Sequence, residues 1–275
     1  MAFVLQNVVF PTDRDPDLLP LYVDADSWST IDGVPVRVAT GAHIADVISR
    51  DSLRIRGGER TSLASYFNAF PASYWQHWTA VRRVRLEVRT SGSATILVYR
   101  SNGSGVQQRI DTAEVTGEAT STFEIALTQF SDGGWVWFDV VAGDDDVDLV
   151  GAAWSTDQEP ARTGKASLGI TTYNKPGYCV ETLQALASSP GVLEVVDRIF
   201  LIDQGDDRVD AQDAFPELAA SLGETLQVLT QRNLGGSGGF ARAMYETMQR
   251  DESDFVQLLD DDVKIEPESI RRSIV

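Results

Sequence analysis

Cysteine is almost missing: Cys179 is the single one in 275 residues, so no internal disulfide can form. That excludes a bridged, secreted scaffold and makes the reducing cytosol the expected compartment. Basic residues are scarce as well, 23 against 41 acidic ones, for a net charge of −18. Such a balance argues against nucleic acid as the main partner and weakens any broad docking to anionic lipid. An acidic chain that handles anionic substrates needs a metal or a focused cationic site to offset repulsion. No apolar run approaches the roughly 18 residues that span a bilayer. No basic residue precedes Arg14 in the mildly apolar start, so the N-terminus does not read as a signal peptide. The remaining composition, 43% hydrophobic and 23% charged, is that of a globular chain with material for two domains.

The first half reads as β structure. Val84, Leu86 and Val88 alternate with Arg83, Arg85, Glu87 and Arg89, and Phe123, Ile125 and Leu127 alternate with Thr122, Glu124 and Thr128. Period two means one face buried and one wet. Turn clusters lie between the runs: Ser91-Gly92-Ser93, Asn102-Gly103-Ser104-Gly105 and Asp132-Gly133-Gly134. This spacing predicts an all-β domain over residues 1–155, of sandwich or jelly-roll type. The Asn102-Gly103-Ser104 sequon reads as a plain turn, and the run Asp144-Asp145-Asp146 as a solvated hairpin tip. Aromatic residues crowd the segment from Tyr66 to Trp78 and recur at Trp135, Trp137 and Phe138. They are expected to fill a core or interface; a platform stacking on sugar rings is the alternative.

After a linker at 156–165 the period changes, and strands alternate with helices from Ala166 onward. Inferred strands end at Ile170, Ile202, Leu229 and Leu259, each followed by a polar segment. An open, mostly parallel sheet is expected, with ligands bound beyond the carboxyl ends of its strands. Thr171 to Lys175, Asp203 to Gly205, Asn233 to Gly239 and Asp260 to Asp262 would then converge on one crevice. Three consecutive carboxylates at a strand end suit a hard cation, Mg2+ or Mn2+, that could neutralise a leaving diphosphate. Alternation along a strand would turn Asp260 and Asp262 to one side and Asp261 to the other. The segment Gly235-Gly236-Ser237-Gly238-Gly239 is read as a loop and lacks the Lys-Ser/Thr pair of a Walker motif. Its Gly236-x-Gly238-x-x-Ala241 pattern, with Asp260 22 residues beyond Gly238, keeps a nicotinamide-dinucleotide enzyme open as a rival. Close helix packing would explain the glycines equally well.

Four motifs carry a resemblance: Tyr66-Phe67-Asn68-Ala69-Phe70-Pro71-Ala72-Ser73-Tyr74-Trp75, Asp132 to Asp139, Asn233 to Gly239, and Asp260-Asp261-Asp262. Together they resemble the polymerising galactofuranosyltransferases of actinobacterial cell-wall galactan synthesis, over essentially the whole chain. The resemblance implies a β domain followed by a GT-A, Rossmann-like nucleotide-sugar-binding domain, here an incomplete one over 166–275. It implies inverting transfer of galactofuranose from UDP-galactofuranose to a lipid-linked galactan at the inner face of the plasma membrane. Homo-oligomerisation would be compatible with it, and nucleic acid has no part in it. A non-catalytic carbohydrate-binding module fused to a partial α/β domain is the alternative from another class.

By the same resemblance Thr172, Tyr173 and Lys175 would lie by the uridine, and Gln204 and Asn233 by the base or ribose. Asp260 and Asp262 would ligate the metal, with Asp261 near the donor sugar. The family commonly carries arginine where this chain has Lys175, and lysine keeps the charge without the planar fork. The family's catalytic base and a further metal-binding histidine come later in its sequence. The base is therefore expected beyond Val275, the 275-residue chain alone is expected to be inactive, and His43 and His77, in the β half, are poor substitutes for that ligand.

Overall fold

The computed structural model describes residues 2–13, 15, 17–25, 27–31, 34–38, 44–160 and 164–275, with the backbone alone for 27–31 and 34–38. His43 and residues 161–163 of the expected linker lie outside the described residues. The chain divides into two compact units, Met1–Glu159 and Pro160–Val275.

The first unit carries strands β1 (Phe3–Asn7), β2 (Ser27–Ile31), β3 (Val34–Val38), β4 (Ala45–Val47), β5 (Leu53–Ile55), β6 (Arg60–Ser62), β7 (Arg83–Ser91), β8 (Ala94–Ser101), β9 (Gln107–Val115), β10 (Glu118–Ala126), β11 (Val136–Ala142) and β12 (Val147–Thr156). Two short helices interrupt them, α1 (Leu19–Tyr22) and α2 (Ala72–Trp78). All pairings are antiparallel. One sheet runs β10-β7-β12-β5-β4 with β1 also on β12, a second runs β6-β11-β8-β9, and β2 and β3 form a separate pair. One core lies between the two larger sheets, fed by Val84, Leu86, Val88, Phe123 and Ile125 from the first and Ile96, Val98, Phe138 and Val140 from the second. The alternation read in β7 is thus realised: its valines and leucine are buried while Arg83, Glu87 and Arg89 face solvent.

The turns follow their residues. Gly92 and Gly105 take positive φ, +120° and +78°, which side chains rarely adopt. The Asn102 side chain accepts from Ser104 N at 3.1 Å and Val106 N at 3.0 Å, so the sequon is a tight Asx-type turn. Asp144, Asp145 and Asp146 are exposed at a hairpin tip, where Asp146 accepts from Gly57 N at 3.0 Å. Asn68, fully buried, anchors the aromatic segment by donating to Val9 O and Tyr22 O and accepting from Val9 N. The aromatics themselves divide. Phe70, Trp137 and Phe138 are buried and Trp75 packs on the core, whereas Tyr66, Tyr74, Trp78 and Trp135 are exposed.

The second unit is a four-stranded parallel sheet, β13 (Ala166–Thr172), β14 (Val196–Asp203), β15 (Leu226–Thr230) and β16 (Phe255–Asp260), in the order β15-β14-β13-β16. Its helices are α3 (Pro176–Ala187), α4 (Pro190–Leu193), α5 (Phe215–Leu222), α6 (Gly235–Arg250) and α7 (Pro267–Ile274). Leu168 and Ile170 of β13 point into a core shared with α3, α5 and α7. On the opposite face Phe200, Ile202 and Leu229 pack against Ala243 of α6. Both faces are covered, as a parallel sheet requires. Among the described residues no helix is long and apolar enough to cross a membrane.

One expectation is corrected. The glycine-rich stretch is not a loop: from Gly235 onward it is the opening of α6. Helix propensity argues against four glycines among five residues, but tertiary packing overrides it. Gly239, Ala243 and Thr247 form the buried stripe of α6 at intervals of four, and small residues there let the helix lie close on the sheet. A Cβ on Gly169 of β13 would come within 2.6 Å of Ala243 Cβ.

Candidate functional site

The strand order makes β13 the turning point: β14 and β15 lie to one side of it and β16, the last strand, to the other. The crossover from β15 to β16 runs through α6 on the face opposite α3 and α5, so β13 and β16 meet where the connections change face, and the crevice beyond their carboxyl ends is the usual ligand position in such sheets. Thr171 on β13 is in register with Asp260 on β16, which brings the two strand ends side by side.

Lys175 follows β13 and Asp262 follows β16. Across the crevice Lys175 Nζ donates to Asp262 Oδ2 at 2.7 Å, with both side chains about half exposed. The ammonium also lies 5.8 Å from the centre of the Tyr178 ring. Each partner shifts the other: the hydrogen bond and charge of Lys175 hold the Asp262 carboxyl below the usual carboxylate range, and Asp262 raises the Lys175 ammonium. A lowered carboxyl favours the folded state above about pH 4, and a raised ammonium favours it below about pH 10, so the pair acts between those limits and fades as acid protonates Asp262. Because both groups are exposed, its effect on stability is small and screened by salt. NMR titration of Asp262 is expected to give a midpoint below that of an ordinary aspartate, returning to the ordinary value in Lys175→Met; an unchanged midpoint would show that the pair does not persist in solution.

The acidic triplet is only partly strand. Asp260 is the last residue of β16, while Asp261 and Asp262 sit in the turn that follows, so strand alternation does not orient all three. Asp260 and Asp262 are exposed and Asp261 is half-buried. Among the described residues no group of three or more His, Cys, Asp or Glu side chains is gathered around one point. Asp260 and Asp262 nevertheless offer hard oxygen donors of the kind Mg2+ and Mn2+ use, and Mg2+ is commonly held by one or two carboxylates with phosphate and water filling the other positions. The donor set fits such an ion on those terms.

Gln204, just past β14, is nearly buried and its amide is fully engaged. Nε2 donates to Thr171 Oγ1 and to Gly235 O, both at 3.1 Å, and Oε1 accepts from Gln231 Nε2 at 3.1 Å and Leu234 N at 2.9 Å. It ties β13 to the start of α6, and a ligand contact would have to replace one of these bonds. Asn233 is exposed and accepts from Gly235 N at 2.8 Å, holding the entry to α6. Thr172 is buried on the side of Cys179; its hydroxyl has no hydrogen-bond partner of good geometry. Burial pushes the Cys179 thiol up to about 12, with Thr172 opposing the shift. Tyr173 is exposed at the crevice end of β13.

Three residues that the sequence reading did not single out hold this region. Asp203 is completely buried at the end of β14, accepts from Gly205 N and Val209 N at 3.0 Å each, and pairs with Arg208 at 3.2 Å. Asn174 takes φ +57° and accepts from Asp206 N at 2.9 Å and Asp207 N at 3.0 Å, joining the segment after β13 to the one after β14. Gly205 has no room for a side chain, since a Cβ would lie 2.7 Å from Asn174 N. The signal for both polar residues was available, because Asn tolerates the left-handed region and Asp two residues before a Gly readily forms an Asx turn.

The two units coincide with two family matches. A model of the galactofuranosyltransferase 2 N-terminal region matches residues 5–157, and a model of the glycosyltransferase-like family 2 matches residues 164–274. Galactofuranosyltransferase GlfT2 of Mycolicibacterium smegmatis is 37% identical over 276 residues, covering 98% of this chain and 41% of the relative. GlfT2 of Mycobacterium tuberculosis is 36% identical over the same shares. The chain thus spans about 41% of the length of these relatives. Among solved structures, the carbohydrate-binding module BiXyn10A CBM1 covers 56% of this chain and 99% of itself at 9% identity and a TM-score of 0.32, too low to carry an argument.

Proposed function

The chain belongs to the galactofuranosyltransferase 2 N-terminal family, and on that premise we propose that its second unit binds the donor UDP-galactofuranose in a protein that transfers galactofuranose to a growing lipid-linked galactan. The observation that carries this reading is the Lys175–Asp262 pair spanning the crevice at the turning point of the sheet. A cation facing the carboxylates of Asp260 and Asp262 there matches a diphosphate with a divalent counter-ion.

Asp260 and Asp262 are proposed to hold Mg2+ or Mn2+, which when bound would neutralise charge on the departing diphosphate. Lys175 turns from Asp262 to the phosphates. Tyr173 and Thr172 line the uridine side, and Asp261 lies toward the sugar. Asn233 meets the base or ribose, while Gln204 positions that segment through its bonds to Thr171, Gly235, Gln231 and Leu234. Inverting transfer also needs a carboxylate that takes the acceptor proton on the face opposite the diphosphate, and none of these residues is given that role. The reading places the protein in the cytoplasm, peripheral to the inner face of the membrane where a lipid-linked acceptor would be met.

Calorimetric titration with UDP tests it. Binding is expected with Mn2+ or Mg2+ and to weaken at least about tenfold in chelator or in Asp262→Ala, comparable to the loss of a metal site's supporting partner. Equal affinity in chelator, or preference for NAD over UDP, would overturn the proposal.

A further inference from the structure

From Thr61 to Val81 the chain contains no Asp, Glu, Lys or Arg, although its net charge is −18. This neutral stretch includes α2, whose exposed residues are all rings: Tyr74 (59% exposed), His77 and Trp78 (71%). Tyr74 and Trp78, four residues apart, project from the same side of the helix. Trp75 and Ala72 turn the other way, toward the core.

Trp135 joins them from a different part of the sequence. Phe70 and Val136 exchange backbone hydrogen bonds at 2.7 and 3.0 Å, and Ser73 N donates to Gly134 O at 3.2 Å. Trp135 therefore lies against the first turn of α2. Val136 is buried in the core, so its neighbour Trp135 emerges on the solvent side and is 45% exposed. His77 stands edge-on to Trp78 with ring centres 4.5 Å apart. Large aromatics left in water next to a well-packed core mark a binding surface more often than a packing defect.

We propose that Tyr74, Trp78 and Trp135 form a glycan-binding platform on the first unit. The ligand class follows from the chemistry. Sugar rings present a face of C–H groups that packs on an aromatic π face, while their hydroxyls reach the polar tips of Tyr, Trp and His. A neutral polymer suits a helix whose own residues carry no acid or base: the one cation bonded to its end, Arg82, is engaged with the carbonyls of Gln76, Thr79 and Val81, whereas an anionic lipid or nucleic acid would call for a cluster of lysine and arginine. The exposed positions of α2 carry no aliphatic side chain, unlike a typical protein-docking helix. Under the functional reading above, on which this identification rests, the glycan is the galactan chain. The platform would hold the polymer on the enzyme between additions.

The test is titration of the 275-residue chain with a neutral oligogalactofuranoside, alongside a β-glucan oligomer and UDP with Mn2+. Binding of the oligogalactofuranoside is expected, with Trp78→Ala and Tyr74→Ala each weakening it about tenfold and leaving the melting temperature and the UDP affinity unchanged. Binding that is insensitive to both substitutions, or absent for every glycan, would overturn the platform. Glucan binding lost in Trp78→Ala without galactofuranoside binding would uphold the platform and overturn the galactan assignment. The UDP arm reports on the second unit alone, so failure of the donor reading shows there and not in the glycan arms. Loss of self-association in the variants without any glycan binding would overturn the proposal in favour of a protein contact.

Discussion

Phe70→Ala is expected to destabilise the first unit by about 3–5 kcal/mol, the range for deleting a buried aromatic, and to lower its melting temperature by on the order of 10 °C. Phe70 is fully buried between two rings, with Trp154 stacked at 5.0 Å and Trp75 at 6.1 Å. Its backbone also pairs with Val136, so the side chain sits where the entry to α2 meets β11. Few neighbours can collapse into the space, because the ring is held by a fully buried indole and by paired backbone. Trp75→Ala should cost less, since Trp75 is only partly buried. Trp154 Nε1 is buried with no acceptor, so Trp154→Phe removes an unpaired donor and should be milder than the loss of Phe70. Calorimetry on the three variants checks the order; a Phe70→Ala transition within a degree of wild type would show that the stack is not the centre of the core.

Gly239→Ala should damage the second unit far more than its size suggests. The added methyl would lie 2.6 Å from Thr171 Cβ and 3.1 Å from Gln204 Nε2, against a strand pinned on both sides by β14 and β16. β13 cannot yield, so α6 must move outward, breaking the Gln204 bonds that link it to Thr171. A loss of about 1–3 kcal/mol is expected from overpacking, together with weaker UDP binding. Gly236→Ala is the control: a methyl added there would meet nothing within 4 Å, and the stability of this variant should be unchanged or slightly higher. Unfolding curves and UDP titration of both variants distinguish packing glycines from ligand-approach glycines. Damage to UDP binding at Gly236 with none at Gly239 would reverse the assignment made for the helix.

Much of the architecture was legible in the order of residues. Period-two alternation in β7 and β10 reflects a sheet with one wet face, and the short apolar runs of β13 and β14 reflect strands covered on both sides. Polar residues directly after such runs marked the crevice, because strands alternating with helices have few ways to assemble. The motifs were also sufficient to indicate the family to which the chain belongs.

Other features depend on side chains meeting across long stretches of sequence. Lys175 and Asp262 are 87 residues apart, and only the position of β16 beside β13 makes them partners. Gln204 reads equally as a ligand contact or a turn residue until its four bonds are seen. The glycines of α6 are poor helix formers, and at Gly239 the close approach to Thr171, which no local propensity encodes, requires one. The same holds for the aromatic segment: composition placed the rings together, but packing of Trp75 on the core and exposure of Trp78 were decided by which side of α2 faces inward. Local periodicity is written in neighbouring residues, whereas the environment of each side chain is set by the distant strand or helix packed against it.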